Sequence, residues 1–327
     1  MFPIYLIIII AFVFAVALCT AYVCYRKCFY SPPRRPLGEP EDNIPTGEKF
    51  EEYREDMINW IKAKREMKAE ELSAVSFDGL NLHAKYYEYA PGAPIEILFH
   101  GYKGNSERDL SGAIERCFSI GRSAVLVDQR AAGDSEGHVI SFGINECRDC
   151  LVWIDRMIER FGCDVSLVIG GVSMGAATVI MASAEELPDN VKYAVADCSY
   201  TCPRDIIKKS IREMGLPPRL LYPFVWLGAR LFGRFSLESN SPIKSAAKSR
   251  IPVIFLHGEA DDFVPCNMGR SLFEACASQK KLVTIPHAVH GVAFPADKRG
   301  YVAALKEFEK EIGVFQISTV KGVDNNE

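Results

Sequence analysis

The sequence predicts an α/β protein in which a mainly parallel β-sheet, covered by helices on both faces, follows an N-terminal transmembrane helix. Apolar runs of strand length alternate with helical stretches along most of the chain, which implies right-handed crossovers between parallel strands. The first 25 residues carry no charge. The chain has 327 residues, 48% of them hydrophobic, so it can bury a sizeable core.

The uncharged N-terminal segment is long enough to cross a bilayer. A helix from Met1 to Tyr25 would span about 37 Å, against a hydrocarbon core of about 30 Å. A cleaved signal peptide is the alternative, but it requires a basic residue ahead of the apolar run. We therefore assign residues 1–27 to a single-pass membrane anchor. The basic residues that follow the apolar run are Arg26, Lys27, Arg34 and Arg35. Their position predicts that the following domain is cytoplasmic.

Composition argues against several functional classes. The net charge of −4 is small, which gives no reason to expect a nucleic-acid partner. Eleven scattered cysteines fit a reducing compartment better than a disulfide framework. Cys147 and Cys150 form one isolated C-x-x-C pair in a helical pattern, and we interpret them as buried thiols rather than zinc ligands. No phosphate-binding loop or H-E-x-x-H motif is present, so we expect neither a cofactor nor a metal.

The remaining chain divides into a linker, a folded domain and a tail. Residues 28–70 begin with a proline-rich stretch and continue with apolar residues at helical spacing, which predicts a linker followed by a connecting helix. Residues 71–316 form the predicted domain, beginning with a hairpin over 73–77 and 80–89, and 317–327 form a flexible tail. The buried strands are predicted at 95–99, 124–127, 166–169, 193–196, 253–256 and 282–285. The clearest helical patterns lie at 144–161 and 301–312.

One segment, residues 203–250, interrupts the alternation of strands and helices. It contains two helical stretches, 204–214 and 219–235, with ten basic and three acidic residues. We interpret it as a cap over the sheet and take Leu221, Phe224 and Trp226 as candidate substrate contacts. An ordinary packed pair of helices is the alternative.

A nucleophilic serine is predicted at Ser173. The segment from Gly171 to Gly175 reads G-V-S-M-G, follows a buried strand and precedes a helix of small residues. Such a strand–turn–helix junction projects the serine oxygen, and its glycines let the two backbones approach each other. The helix N-terminus also favours negative charge that develops there.

A serine hydroxyl is a weak nucleophile and needs a base together with a carboxylate that orients the base. Asp261 lies in a loop after the strand 253–256, and His290 follows the next strand. Asp262 and Asp197 are alternative acids, because the first adjoins Asp261 and the second also follows a strand. His287 is the alternative base, but it lacks the glycine that follows His290.

Several separate motifs resemble the single-domain α/β hydrolases described as serine aminopeptidase-like or prolyl-oligopeptidase-like. The resemblance covers about residues 72–313 and includes the H-G-Y-K-G-N turn at 100–105 and the D-Q-R-A-A-G-D-S-E-G loop at 128–137, in which Ala131 replaces a common glycine. The order serine, acid, histidine is also that of these enzymes. The resemblance implies a mainly parallel eight-stranded sheet. It also implies a catalytic triad and an oxyanion hole, formed by the residues Ser173, His290 and Asp261 and by the backbone N–H groups of Tyr102 and Met174.

These features predict a membrane-anchored serine esterase. The anchor and the apolar, basic cap favour an amphiphilic or lipid-like ester as the substrate. A peptidase acting on short peptides is the alternative enzyme, although Asp205, Glu213 and Glu238 of the cap form no cluster that would bind an α-amino group. A noncatalytic membrane scaffold is the third possibility, and the presence of all three triad residues argues against it.

Overall fold

The computed structural model describes residues 2–32 and 37–315, and within them the chain forms one eight-stranded sheet and its surrounding helices. The strands are β1 Glu70–Val75, β2 Asn81–Tyr87, β3 Ile95–Phe99, β4 Ser123–Asp128, β5 Leu167–Val172, β6 Val191–Asp197, β7 Val253–Gly258 and β8 Lys280–Ile285. The helices are α1 Phe2–Cys28, α2 Glu48–Glu51, α3 Arg54–Glu66, α4 Ser106–Ser119, α5 Glu146–Phe161, α6 Met174–Ala182, α7 Pro203–Glu213, α8 Pro218–Leu231, α9 Pro242–Ala246, α10 Cys266–Ala275, α11 Ala293–Ala296 and α12 Lys298–Ile312.

The sheet has the strand order β1-β2-β4-β3-β5-β6-β7-β8. The hairpin β1–β2 is antiparallel, as the sequence predicted, and β2 joins β4 in antiparallel register. All pairs from β4 to β8 are parallel. The carboxyl ends of the parallel strands therefore meet at one edge, where the loops that carry the candidate residues begin.

Side chains alternate between two apolar cores, one on each face of the sheet. In β3, Ile97 belongs to the core shared with α5 and α6, whereas Leu98 belongs to the core shared with α4. In β6, Val195 packs toward α12. Because both faces are covered, the central strands are buried along their whole length, which explains why they appear in the sequence as continuous apolar runs.

α1 has the length and composition of a membrane-spanning helix, with a mean hydropathy of 2.9 over its most apolar window. Its side chains from Ile4 to Val16 are exposed, and only its C-terminal half contacts the domain. Ala21, Tyr25 and the following Phe29 are buried. Arg34, Arg35 and the predicted tail 317–327 lie outside the described residues.

The segment predicted as a connecting helix is an integral part of the domain. α3 packs along α4, and its Ile61 is buried. Lys64 of α3 is also buried and forms an ion pair of 3.3 Å with Glu107 of α4. The sequence pattern gave the helix correctly but could not show the surface against which it packs.

Candidate active site

Ser173 occupies a strained turn between β5 and α6. Its φ is 56° and its ψ is −112°, a conformation that side-chain-bearing residues rarely adopt. A Cβ at Gly171 would lie 2.2 Å from the backbone of Gly175, and a Cβ at Gly175 would lie 1.9 Å from the carbonyl oxygen of Phe99. Both glycines are therefore required, because the strand and the helix approach more closely than a side chain allows.

The structure brings the three predicted side chains together. His290 Nε2 lies 2.9 Å from Ser173 Oγ, and His290 Nδ1 lies 2.7 Å from Asp261 Oδ2. The other carboxylate oxygen of Asp261 accepts hydrogen bonds from the backbone N–H groups of Phe263 and Val264, at 3.0 and 2.8 Å. These two bonds fix the carboxylate, which in turn orients the imidazole.

A second histidine, His257, contributes to the acid site, and sequence reasoning assigned it no role there. Its Nε2 donates to the carbonyl oxygen of Val264 at 2.8 Å and lies 3.5 Å from Asp261 Oδ2. Burial would raise the pKa of Asp261, but the hydrogen bonds from His257 and His290 lower it to about 2. The carboxylate is therefore ionised at neutral pH.

The alternative acids, Asp262 and Asp197, and the alternative base, His287, take no part in the hydrogen bonds that join Ser173, His290 and Asp261. Asp262 is exposed and forms an ion pair with Lys49, and His287 is exposed with a φ of 60°. Asp197 is buried at the end of β6, where the hydroxyl of Tyr301 donates to its Oδ2 at 3.1 Å. Burial raises the pKa of Asp197 to about 6. Its Oδ1 has no hydrogen-bond partner among the described residues.

The loop that carries Tyr102 is tied to the end of α1. Tyr102 Oη donates to the carbonyl oxygen of Cys28 at 2.8 Å, and Lys103 Nζ donates to that of Lys27 at 2.8 Å. Helix C-termini leave their last carbonyl groups unpaired, and these two side chains satisfy them. Within the described chain, the backbone N–H groups of Tyr102 and Met174 donate to no protein acceptor, as an oxyanion hole requires.

The loops at 100–105 and 128–137 are hydrogen-bonded to each other at the carboxyl edge of the sheet. His100 accepts a hydrogen bond at Nε2 from the backbone N–H of Gln129 at 3.0 Å. The carboxylate of Asp128 accepts from the backbone N–H groups of Ser106 and Asp134, both at 2.9 Å. Ala131 has a φ of 64°, in the left-handed region that favours glycine, which is the residue that the family resemblance led us to expect here.

A cavity of about 530 Å³ opens beside Ser173 and His290. One wall is α4, another is the loop from Val289 to Pro295, and Asp197 lines its interior. The third wall belongs to the segment 45–60, which we call the N-terminal arm. Its side chains in the cavity are those of Pro45, Thr46, Lys49, Phe50, Met57 and Trp60.

The structure corrects the expectation that the cap covers this cavity. Among the described residues that line it, none belongs to 203–250, so Leu221, Phe224 and Trp226 are not part of its wall. α8 packs against α1 instead, and its Val225 and Ala229 are buried in the main core. The apolar residues of α8 therefore serve contacts with the domain and with α1.

A model of the prolyl oligopeptidase family matches residues 141–313, more than half of the chain. The chain belongs to the prolyl oligopeptidase family. The matched region includes Ser173, Asp261 and His290, whereas the loop of Tyr102 precedes it. As a member of this family and of the α/β-hydrolase superfamily, the protein is a hydrolase.

Relatives and solved structures are similar to this chain over most of its length. YqkD of Bacillus subtilis is 25% identical over 213 residues, 65% of this chain and 70% of that protein. Protein bem46 of Schizosaccharomyces pombe is 24% identical over 293 residues, 88% of this chain and 86% of its own length. An esterase from Pyrococcus furiosus has a TM-score of 0.64 at 18% identity, over 86% of this chain and 98% of the esterase. This structural similarity shows the shared fold.

Proposed function

We propose that this protein is a membrane-anchored serine hydrolase that cleaves carboxylic esters. The observation that carries the proposal is the continuous hydrogen-bonded chain from Ser173 Oγ through His290 to Asp261, with spacings of 2.9 and 2.7 Å. This is the arrangement of nucleophile, base and orienting carboxylate that acyl transfer needs.

The proposed reaction has two halves. Ser173 Oγ attacks the acyl carbon while its proton passes to His290 Nε2, and the backbone N–H groups of Tyr102 and Met174 stabilise the oxyanion. Collapse of the tetrahedral intermediate expels the alcohol, which takes the proton from His290 and leaves an acyl-serine. Water then attacks the acyl-serine as His290 accepts its proton, and the carboxylic acid departs as that proton returns to Ser173 Oγ.

The cavity supports an ester with an apolar acyl group. Phe50, Met57 and Trp60 of the N-terminal arm and Val292 and Phe294 of the histidine loop form an apolar part of its wall, in which the rings of Trp60 and Phe294 stack with centroids 5.8 Å apart. Charged side chains such as Arg108 and Arg116 also line the cavity, so it is this apolar part that favours burial of an alkyl or aryl chain. The Pyrococcus furiosus esterase with this fold is consistent with an ester as the substrate.

One observation favours a peptidase as the second candidate. Asp197 Oδ1 lacks a partner within the described chain and lines the cavity that holds Ser173. A buried carboxylate of this kind could accept hydrogen bonds from the α-ammonium group of a short peptide.

Fluorophosphonate labelling tests whether the protein is a serine hydrolase. The wild-type protein should become labelled and Ser173→Ala should not, because the probe reacts with an activated serine. Labelling that persists in Ser173→Ala would place the nucleophile elsewhere, and absence of labelling in both would favour the scaffold. A panel of p-nitrophenyl esters and aminoacyl-p-nitroanilides then separates esterase from peptidase, and turnover of the anilides alone would contradict the ester assignment.

The membrane attachment and its orientation belong to the same proposal. α1 supplies the span, and Arg26 and Lys27 at its end favour a cytoplasmic domain. In sealed right-side-out vesicles, the domain should resist protease added from outside and become sensitive after permeabilisation. Digestion in the sealed vesicles would reverse the orientation.

A further inference from the structure

α8 has an apolar face that is mostly exposed in the described chain. Leu220, Pro223, Leu227 and Leu231 recur every three or four residues and therefore share one side of the helix. We call these four residues the α8 apolar face. Leu220 is 64% exposed and Leu231 is 48% exposed, Pro223 is also exposed, and Leu227 is half-buried. The opposite side of α8 is buried in the domain, so the helix is apolar on both sides.

α1 and α8 pack closely against each other near Ala21 and Gly228. A Cβ at Gly228 of α8 would lie 2.4 Å from the carbonyl oxygen of Ala21, which is fully buried. The ring of Phe232 lies 5.2 Å from that of Tyr22 and 5.8 Å from that of Tyr25. The small residue allows the two helices to approach closely, as in helix pairs within membranes.

The basic end of α1 indicates how near α8 lies to the bilayer. Arg26 and Lys27 in the last turn of α1 mark the headgroup side of a membrane span. Ala21, the residue in contact with Gly228, precedes Arg26 by five residues, about 7.5 Å along the helix. α8 therefore lies at the boundary between hydrocarbon and headgroups whenever α1 spans the membrane.

Charge around the α8 apolar face fits the same position. Arg219 precedes Leu220, and Arg230 and Arg234 follow on the same segment, all three exposed. None of the three forms an ion pair with a described carboxylate. Exposed arginines beside an apolar helix face are attracted to anionic lipid headgroups.

We propose that the α8 apolar face inserts into the lipid–water interface beside α1, so that the catalytic domain lies directly on the bilayer. The proposal rests on the membrane anchoring proposed above and commits to the bilayer as the occupant of this face. Because the loop of Tyr102 is bonded to the end of α1, the cavity also lies near the membrane surface. The substrates it takes are then amphiphilic esters that reside in the bilayer.

Photo-crosslinking of the full-length protein in phosphatidylcholine–phosphatidylserine nanodiscs tests the proposal. p-Benzoylphenylalanine is placed at position 220 or 231, and an alkyne-bearing phospholipid reports contact with lipid. Position 7 in α1 is the control for anchoring. Position 89 is the control for water, because Tyr89 is exposed and its backbone bonds to Ser123 at the opposite edge of the sheet. Positions 220 and 231 should capture lipid about ten-fold more than position 89.

The controls distinguish the docking of α8 on the bilayer from the anchoring of the protein by α1. Capture at position 7 with positions 220 and 231 at the level of position 89 would overturn the docking of α8 and leave the anchor intact. Absence of capture at position 7 would refute the anchor itself. Crosslinks from position 220 to a second copy of the chain, in place of lipid, would also overturn the proposal.

A double variant, Leu220→Glu with Leu231→Glu, gives a second measurement, because both positions are exposed and tolerate charge in the folded domain. Labelling of Ser173 by a water-soluble fluorophosphonate should be unchanged, whereas labelling by a phosphonate with a phospholipid tail in the same nanodisc should fall about ten-fold. The matched variant Leu220→Met with Leu231→Met should behave as wild type. Equal labelling of the glutamate and methionine variants by the lipid probe would contradict the docking.

Discussion

Asp261 and Asp197 follow neighbouring strands, yet their surroundings give them opposite properties. Asp261 is surrounded by donors, whereas Asp197 Oδ2 has only the Tyr301 hydroxyl. As a result, the pKa of Asp261 falls to about 2 and the pKa of Asp197 rises to about 6. The group with the lowered pKa is the one bonded to His290, which makes it suitable for orienting and stabilising a protonated imidazole.

Replacement of each acid should affect ester hydrolysis very differently. In Asp261→Asn, the amide oxygen would keep the hydrogen bonds from the backbone of Phe263 and Val264, so the amide nitrogen would face His290. That arrangement imposes the wrong imidazole tautomer, and kcat/KM should fall by about 10⁴. Asp197→Asn should change kcat/KM for esters by less than about ten-fold, since the side chain bonds to neither Ser173 nor His290 and the backbone carbonyl that accepts from the Ser173 N–H is unchanged. Steady-state kinetics with a p-nitrophenyl ester measure both, and the reverse ranking would assign the triad acid to Asp197.

Asp197 should also make stability depend on pH. Its pKa of about 6 in the folded protein exceeds the ordinary value, so the folded state binds the proton more tightly than the unfolded state does. The free energy of unfolding therefore falls as the pH rises from about 4 to about 6, by on the order of 2–3 kcal/mol. Asp197→Asn should remove this loss and raise Tm relative to wild type more at pH 8 than at pH 4. Scanning calorimetry measures these differences. Equal Tm differences at the two pH values would contradict the prediction that the buried, ionised side chain of Asp197 destabilises the fold.

At the scale of elements, the cavity is enclosed by the N-terminal arm and α4 rather than by the cap. Met57 of α3 lines the cavity, whereas Trp226 of α8 does not. If the substrate is an ester, we therefore expect a segment that the sequence predicted as a linker and connecting helix to select the length of its acyl chain.

Met57→Trp should shift the preferred substrate toward shorter acyl chains, because the larger ring occupies part of a cavity of about 530 Å³. For a long-chain p-nitrophenyl ester, kcat/KM should fall by about ten-fold or more, while the acetate ester is affected little. Trp226→Ala serves as the comparison and should leave the ratio of long-chain to short-chain activity unchanged. A change in that ratio for Trp226→Ala alone would instead indicate that the cap contacts the substrate.

At the scale of the whole molecule, a buried ionic cluster joins distant parts of the chain. Glu96 in β3 is fully buried and pairs with Arg116 of α4 and with Arg122 before β4, each at 2.7 Å. Arg122 also contacts Glu309 of α12. The two guanidinium groups hold the pKa of Glu96 below its usual range despite the burial. The cluster therefore joins β3, α4 and α12, and its Arg116 also lines the cavity.

Glu96→Gln should strongly destabilise the fold, because it leaves two buried guanidinium groups without their main counter-charge. We expect a loss of about 3–5 kcal/mol in the free energy of unfolding, measured by denaturant titration. Glu71→Gln is the control, since its ion pair with Lys85 is largely exposed and should contribute less than about 1 kcal/mol. Similar losses in both variants would show that the cluster adds no special stability.

The sequence by itself determined the alternation of strands and helices, the serine turn and the short set of acids and histidines that could meet Ser173. These features depend on local periods, on glycines within a few residues of Ser173, and on side chains that begin at strand ends. The substrate class, the orientation in the membrane and the catalytic roles stay predictions.

Only the tertiary structure decided which surfaces meet. It selected Asp261 over Asp197 as the partner of His290, placed α3 against α4 to close the cavity, and paired α8 with α1. Helices with an apolar face, such as α3 and α8, have similar patterns whether they cover a cavity, a sheet or another helix. Their partners follow from the summed burial and close packing of residues far apart in the chain, which no local pattern encodes.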